Sequence, residues 1–399
     1  MIESSNTTNI MKQYIKHAII LFSLFITYGC NQTGESAKQK NAIAVDLDDQ
    51  NKVSIFDLFE KVEIIPLETT DMSLMRYIHK LIYHNNTIFI LDKMQSIIFA
   101  FDYTGKFKYK IDNKGAGPDQ YIHISDFDID KEKALLSFIS PASGELHEYN
   151  LEGHFSQKYK LPNTVGAYNL IKHLSNNTVA FWTFDYDNRI KFYSKENHKI
   201  FSECFPEEDN FFNQIHIQTF SYDNFLNRPI DNNTYEILPE GNVSIAYTWD
   251  FNKLNISHNK VDILNIEDNK DRDIILNYMK KISSSEAINY LFLMSGGNSN
   301  FIYSQVLRKD RYKNILHHKA NNKTLVFDET IEGAHFYPIY WTDDFVIGTI
   351  PEKLFFKDVS LNSVIPDIIL DAENIEKKNK LDEFDNPILV RYYFKTDLK

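Results

Sequence analysis

The sequence predicts an all-β chain folded as a six-bladed β-propeller, and three observations carry that expectation. From Val53 onward, short runs of β-branched and aromatic residues follow one another, among them TIFILD, SIIFAFD, KFKYKI, TVAFWTF and RIKFYS. The runs are separated by turn residues, with Asn85-Asn86, Thr104-Gly105, Glu152-Gly153 and Asn176-Asn177 suited to tight hairpins. The runs also recur as a group. Strand, turn, strand, Asp-x-x-Gly, strand in TIFILDKMQSIIFAFDYTGKFKYKI returns in ALLSFISPASGELHEYNLEGHFSQKYKL, with Asn150 opening the second such turn. A unit repeated at roughly 40 to 50 residues marks a propeller, and about 345 residues of domain at about 50 to 60 per unit give six blades, with seven as the alternative.

The elements before the repeats are an address and a tether. MKQYIKHAIILFSLFITYGC has the layout of a secretory signal: Lys12 and Lys16, an apolar stretch from Ala18 to Thr27, then Gly29-Cys30. The apolar stretch is about half of the ~20 residues that a spanning helix requires. Residues 1–29 are therefore expected to be a signal peptide, with Met11 as the true start, since the ten residues before it are polar. The segment resembles a bacterial lipoprotein signal, which implies a lipid on Cys30; a cleaved chain without lipid is the alternative. Residues 30–51 are polar and expected to form a flexible tether, with the propeller filling 52–399.

With lipidation occupying one of the two cysteines, no disulfide is expected, and Cys204 reads as a small buried apolar residue. A net charge of -12 with no basic stripe argues against nucleic acid as a partner. Within the later repeats, Ile274, Ile275, Tyr278, Met279 and Ile282 fall at helical spacing, which predicts a short helix inserted over Asp271 to Ile282.

The stretch DNKGAGPDQYIHISDFDID poses the main functional question. A phosphate loop needs a helix after its glycines to present free N–H groups, whereas here Ile122, Ile124, Phe127 and Ile129 suit a strand. Gly115, Gly117 and Pro118 are therefore read as a structural turn that carries the chain from one blade to the next. DFDID has the alternating acids of a calcium loop. However, Lys131 stands where an EF-hand needs Gly and Ser137 where it needs Glu, so a strand with its acids on one face is the reading. No metal or other cofactor is expected.

The same stretch carries a resemblance. KGAGPDQY resembles the Gly-x-Gly-Pro-x-x-Tyr/Phe element of NHL- and TolB-like propellers and of the six-bladed propeller lipoproteins of gut Bacteroidetes. FEKVEIIPLETT and NPILVRYYFK resemble the opening and closing strands of that lipoprotein family. The resemblance implies a six-bladed propeller in the cell envelope, lipid-anchored at the outer membrane on its periplasmic or surface face. It implies little about activity.

Other motifs are isolated. YWTD at Tyr340 to Asp343 and TWD at Thr248 to Asp250 each occur once, LMSGGNS lacks the nucleophile-elbow pattern, and His317-His318 has no acid at metal-ligand spacing. The expected function is thus a monomeric, envelope-tethered binding or interaction module for a glycan, peptide or envelope protein. The alternative is a hydrolase or lyase working at the propeller axis, with His79, His123, Asp126 and His335, each near the start of a blade, as candidates. Ring closure predicts Val62 to Glu68 and Ile388 to Phe394 in one blade, the N-terminal segment outermost.

Overall fold

The structure, a computed structural model, describes residues 41–49, 51–162, 168–183, 188–206, 224–227, 232–255, 289–308, 311–350, 364–382 and 384–398. The signal, Cys30, the first part of the tether and the helix expected over Asp271 to Ile282 lie outside the described residues.

The described residues form six four-stranded sheets arranged as a propeller. Blade 1 comprises Lys80–His84, Thr87–Asp92, Ile97–Asp102 and Phe107–Ile111 from axis to rim. Blade 2 comprises Asp126–Asp130, Leu135–Ser140, Glu145–Asn150 and Phe155–Lys160. Blade 3 comprises Tyr168–His173, Thr178–Thr183, Asn188–Ser194 and Lys199–Pro206. Blade 4 takes Phe225–Asn227, Asn233–Leu238 and Asn242–Asp250. Blade 5 takes Asn289–Gly297, Phe301–Arg308, Arg311–His318 and Lys323–Phe327. Blade 6 takes Pro338–Trp341, Phe345–Thr349 and Leu389–Phe394.

The turn dipeptides do what their chemistry allows. Asn85 and Asn86 both have positive φ, 47° and 56°, as do Asn176 and Asn177 at 59°, so each pair reverses the chain in the left-handed region that Asn tolerates. Gly105, at φ 94°, has a second constraint: a Cβ there would lie 2.2 Å from the Pro66 carbonyl oxygen. The turn of blade 1 is pressed against the outer strand of blade 6, and the Glu68 N–H donates to the Gly105 carbonyl at 2.8 Å.

The core is divided into wedges between blades. Along Thr87–Asp92 and Ile97–Asp102, Ile88, Ile90, Phe99 and Phe101 pack toward blade 6, while Phe89, Leu91, Ile98 and Ala100 pack toward blade 2. Successive side chains leave opposite faces of a strand. Because both faces are covered, Thr87–Asp92 is buried at every position and its centre, Ile88 to Leu91, reads as an unbroken apolar run. Equivalent wedges join blades 2 and 3, 3 and 4, 4 and 5, and 5 and 6, closing the ring.

Closure uses the two ends of the chain. Phe59–Ile65 pairs antiparallel with Leu389–Phe394 as the outermost strand of blade 6, Val62 opposite Tyr392 and Ile64 opposite Val390, which is the pairing expected from the sequence. Pro66 follows the last paired residue, where its missing N–H costs no ladder bond. Arg391 stacks on Phe345 at 4.9 Å and donates from Nη2 to the Tyr103 carbonyl at 2.8 Å, tying blade 6 to blade 1.

The expected boundary of the tether at residue 51 is corrected. Ala42–Ala44 runs parallel to Asn242–Asp250 as the fourth strand of blade 4, and Ile43, Val45 and Leu47 are buried there. The chain then crosses blade 5, where Arg308 pairs with Asp48 at 2.7 Å and Asn51 bonds Val326, before reaching blade 6. Residues 41–49 and 51–65 thus form a strap over the rims of three blades, and the compact unit begins at Asn41. The acids of DLDDQN conceal this, because the strap is held by backbone pairing and a few apolar side chains.

Among the described residues, two α-helices interrupt the strands, α1 (Ile55–Leu58) and α2 (Ala372–Asn379). The second, unexpected from the sequence, starts at Asp371, whose side chain accepts the Asn374 N–H at 2.9 Å. Asn374 Oδ1 in turn accepts the Ile64 N–H at 2.8 Å, fixing the helix on the closing strand.

Candidate functional site

The innermost strand of each blade has an edge with no strand beyond it, so alternate backbone N–H groups there need other partners. In blade 2, DFDID supplies them to its neighbour. Asp126, Asp128 and Asp130 share one face at spacing two, and all three are buried. Asp126 Oδ2 accepts the Ile171 N–H at 3.0 Å, and Asp128 Oδ2 accepts the His173 N–H at 2.7 Å, both from the innermost strand of blade 3. Asp130 Oδ2 lies 3.5 Å from Lys195 Nζ and 4.0 Å from His173 Nδ1. Burial opposes charge on Asp128, yet Lys172, Lys80, His173 and the N–H bond outweigh it and hold its carboxyl below the usual range. These acids staple two blades together.

Asp126 also receives Lys80 Nζ at 3.0 Å, which brings in the axial end of blade 1. His79 precedes Lys80, and its Nδ1 accepts the Lys93 N–H at 3.1 Å. Nε2 therefore carries the proton of the neutral ring. Burial lowers the His79 pKa more than Asp92, 3.8 Å away, raises it, so the ring is neutral at pH 7. Burial likewise lowers the pKa of Lys93, with Asp126 opposing and Lys80 reinforcing the shift.

His79 and Asp126 thus share one neighbourhood through Lys80 and Lys93. His123 is exposed on the crossing from blade 1 to blade 2, and His335 lies on the approach to blade 6, stacked on Tyr337 at 6.0 Å. Among the described residues, no hydrogen bond or ion pair joins either to His79 or Asp126. Cys204 is half-buried, its sulfur 3.8 Å from the Gly241 carbonyl, and burial raises its pKa away from a reactive thiolate.

The crossing loop turns the chain by local means. Gln120 donates its N–H to the Gly117 carbonyl at 3.1 Å, closing a turn with Pro118 second, and its Oε1 accepts the Gly117 N–H at 2.8 Å. A Cβ on Gly115 would lie 2.1 Å from that oxygen. Tyr121 is buried with its hydroxyl 2.9 Å from the Ser96 carbonyl and 3.0 Å from that of Ile111, anchoring the loop to blade 1.

The residues that organise this end of the molecule were not singled out by sequence. Asp92, buried, accepts N–H bonds from Arg76 at 2.7 Å, Tyr77 at 3.3 Å, Met94 at 2.9 Å and Gln95 at 3.2 Å. Asn386, also buried, accepts the Met75 N–H at 2.8 Å and donates to the carbonyls of Glu68 at 2.8 Å and Ser73 at 3.0 Å. Residues 66–79, the crossing from blade 6 to blade 1, are laced down at both ends, yet they leave Met72, Leu74 and Arg76 facing solvent. Among the described residues there is no group of three or more His, Cys, Asp or Glu placed to hold a metal ion, and no helix long and apolar enough to cross a membrane.

Residues 40–393 match the family described as Domain of unknown function (DUF4934). The chain belongs to the DUF4934 family. No curated protein matches this DUF4934 chain. Its fold is shared with a Bacteroides fragilis NCTC 9343 protein inferred to be exported, at 20% identity and a TM-score of 0.70 over 89% of this chain and 100% of that one. A member of the duf4221 family from Bacteroides vulgatus aligns at 11% identity and a TM-score of 0.49, over 87% and 99% of the two chains. A virginiamycin B lyase from Staphylococcus aureus aligns at 12% and 0.39, over 70% and 77%.

Proposed function

We propose that this DUF4934 propeller is an envelope-tethered binding module, held to a membrane by a lipid on Cys30 and presenting the crossing from blade 6 to blade 1 to its ligand. The carrying observation is the crossing 66–79. Asp92 and Asn386 hold its backbone with buried hydrogen bonds while its solvent face keeps exposed apolar and cationic side chains. A rigid backbone under exposed apolar groups favours binding, because little entropy is lost on contact. The exported Bacteroides neighbour and the signal-like start support an address outside the cytoplasm, on the periplasmic or surface face of the outer membrane.

Purified protein lacking residues 1–29 should retain ligands on a mixed glycan and peptide array, and an array that stays blank would remove the reading. For the anchor, labelled palmitate should enter the wild-type chain and not Cys30→Ala, and equal labelling of both would refute it.

The second reading, a hydrolase or lyase at the axis, is favoured by one observation: a neutral His79 beside an amine whose pKa burial lowers, the combination that general base catalysis uses. Turnover lost in both His79→Ala and Lys93→Ala would support it.

A further inference from the structure

We propose that the ridge Met72, Leu74 and Arg76, together with Lys93 and Met94, is a docking site for an extended acidic peptide that presents apolar, apolar and acidic side chains at alternate positions along one face. The inference rests on the binding-module reading and names its ligand class. Three observations carry it.

The first is exposure on a fixed backbone. Along residues 72–76, Ser73 and Met75 point inward while Met72 and Leu74 remain 58% and 52% exposed and Arg76 is exposed as well, so alternate positions face solvent. Met94, at 66% exposure, sits on the neighbouring turn of blade 1. Gln95 joins the two segments, donating from Nε2 to the Leu74 carbonyl at 3.2 Å and to Asp92 Oδ2 at 3.0 Å. Apolar groups this exposed would collapse onto a flexible loop; here buried hydrogen bonds hold the backbone beneath them.

The second is unanswered charge. Neither the Arg76 guanidinium nor the Lys93 ammonium has a carboxylate within ion-pair distance among the described residues, on a chain of net charge -12. The nearby acids are otherwise engaged, Asp92 by backbone N–H groups and Asp126 by Lys80 and Ile171. An incoming carboxylate would meet an exposed Arg76 that no described acid pairs with. Burial already disfavours the charged form of Lys93, and a bound anion would relieve that cost.

The third is the match of spacing. An extended peptide presents every second side chain to one surface, as does the ridge itself, so two apolar residues at alternate positions on Met72 and Leu74 would place an acid at the next alternate position beside Arg76. A single free anion would leave the exposed methionines and leucine unused.

The probe is fluorescein-labelled Gly-Leu-Ser-Leu-Ser-Glu-Gly, followed by fluorescence polarisation against protein lacking residues 1–29, with the Gln version of the peptide as control. The acidic probe should bind and the control should not, and added salt should weaken binding. Arg76→Ala and Lys93→Ala should each weaken binding by about fivefold, the upper end for an exposed ion pair. Arg76→Glu should abolish binding with the thermal midpoint unchanged, since the Arg76 side chain is exposed. Equal binding of both probes, or indifference to Arg76→Glu, overturns the proposal. Binding of oligogalacturonate without binding of the peptide also overturns it, while leaving the binding-module reading intact. A protein that retains other array ligands but neither of these fails the ligand class alone.

Discussion

Asn51 pairs with Val326 as a strand residue would: its N–H donates to the Val326 carbonyl at 3.0 Å, and its Oδ1 accepts the Val326 N–H at 2.8 Å. One side chain therefore completes a ladder step where the strap passes the rim of blade 5. Asn51→Ala should cost about 1 kcal/mol, the net worth of one such bond. Deleting residues 41–49 removes the buried Ile43, Val45 and Leu47 and should cost roughly 5 kcal/mol or more at about 1.5–3 kcal/mol per side chain. Thermal melts should show a large drop for that deletion and none for deletion of residues 31–40; equal drops would contradict the strap.

Asp128→Ala leaves the His173 N–H without its acceptor at a buried seam. A loss of about 2–4 kcal/mol is expected, from an unsatisfied donor and a broken buried charge network. Urea denaturation checks it, and a change below about 0.5 kcal/mol would show that the seam is not held by these acids.

Gly105→Ala should be much worse than Gly333→Ala. Both glycines have positive φ, 94° and 76°, but the new Cβ meets the Pro66 carbonyl in the first case and nothing within 4 Å in the second. The backbone term alone is about 1 kcal/mol, whereas the clash at Gly105 forces blades 1 and 6 apart. Comparable melting temperatures for the two variants would rule out the close approach.

Acid should destabilise the fold early. Burial lowers the pKa of His173, His147, His79 and His317 from the ordinary 6.5. The unfolded chain then binds more protons just below that value, so stability rises with pH across the window. The urea midpoint should be flat above pH 7 and fall as pH drops below 6.5, with Asp128 and Glu145, both held below the usual carboxylate range, adding a further loss at lower pH. His173→Gln should flatten the first phase, and a midpoint rising between pH 6.5 and 5 would contradict the sign.

The blade architecture was legible because its determinants are local. Asn85-Asn86 can reverse a chain by itself, and TIFILD can be buried on both faces only inside a stack of sheets. The strap was missed because its strand is three residues long and the acids after it resemble a linker. Asp371, Glu373 and Lys377 do spell a capped helix, but the apolar stripe at Ile274 to Ile282 drew the assignment. The site was less legible still. Position near the start of a blade suggested four residues, yet the contact between Lys80 and Asp126 depends on how two blades twist together, and no linear spacing records that.

The strap also fixes the order in which the molecule can be completed. A chain emerging N-terminus first presents Asn41 long before Ala246, 205 positions later, and Glu63 long before Tyr393, 330 positions later. Contacts of such separation form late, and until they do the rims of blades 4 and 6 are open edges. A truncated product cannot settle as a shorter propeller. It lacks the partner for its own first strands, so the protein is assembled whole or left sticky.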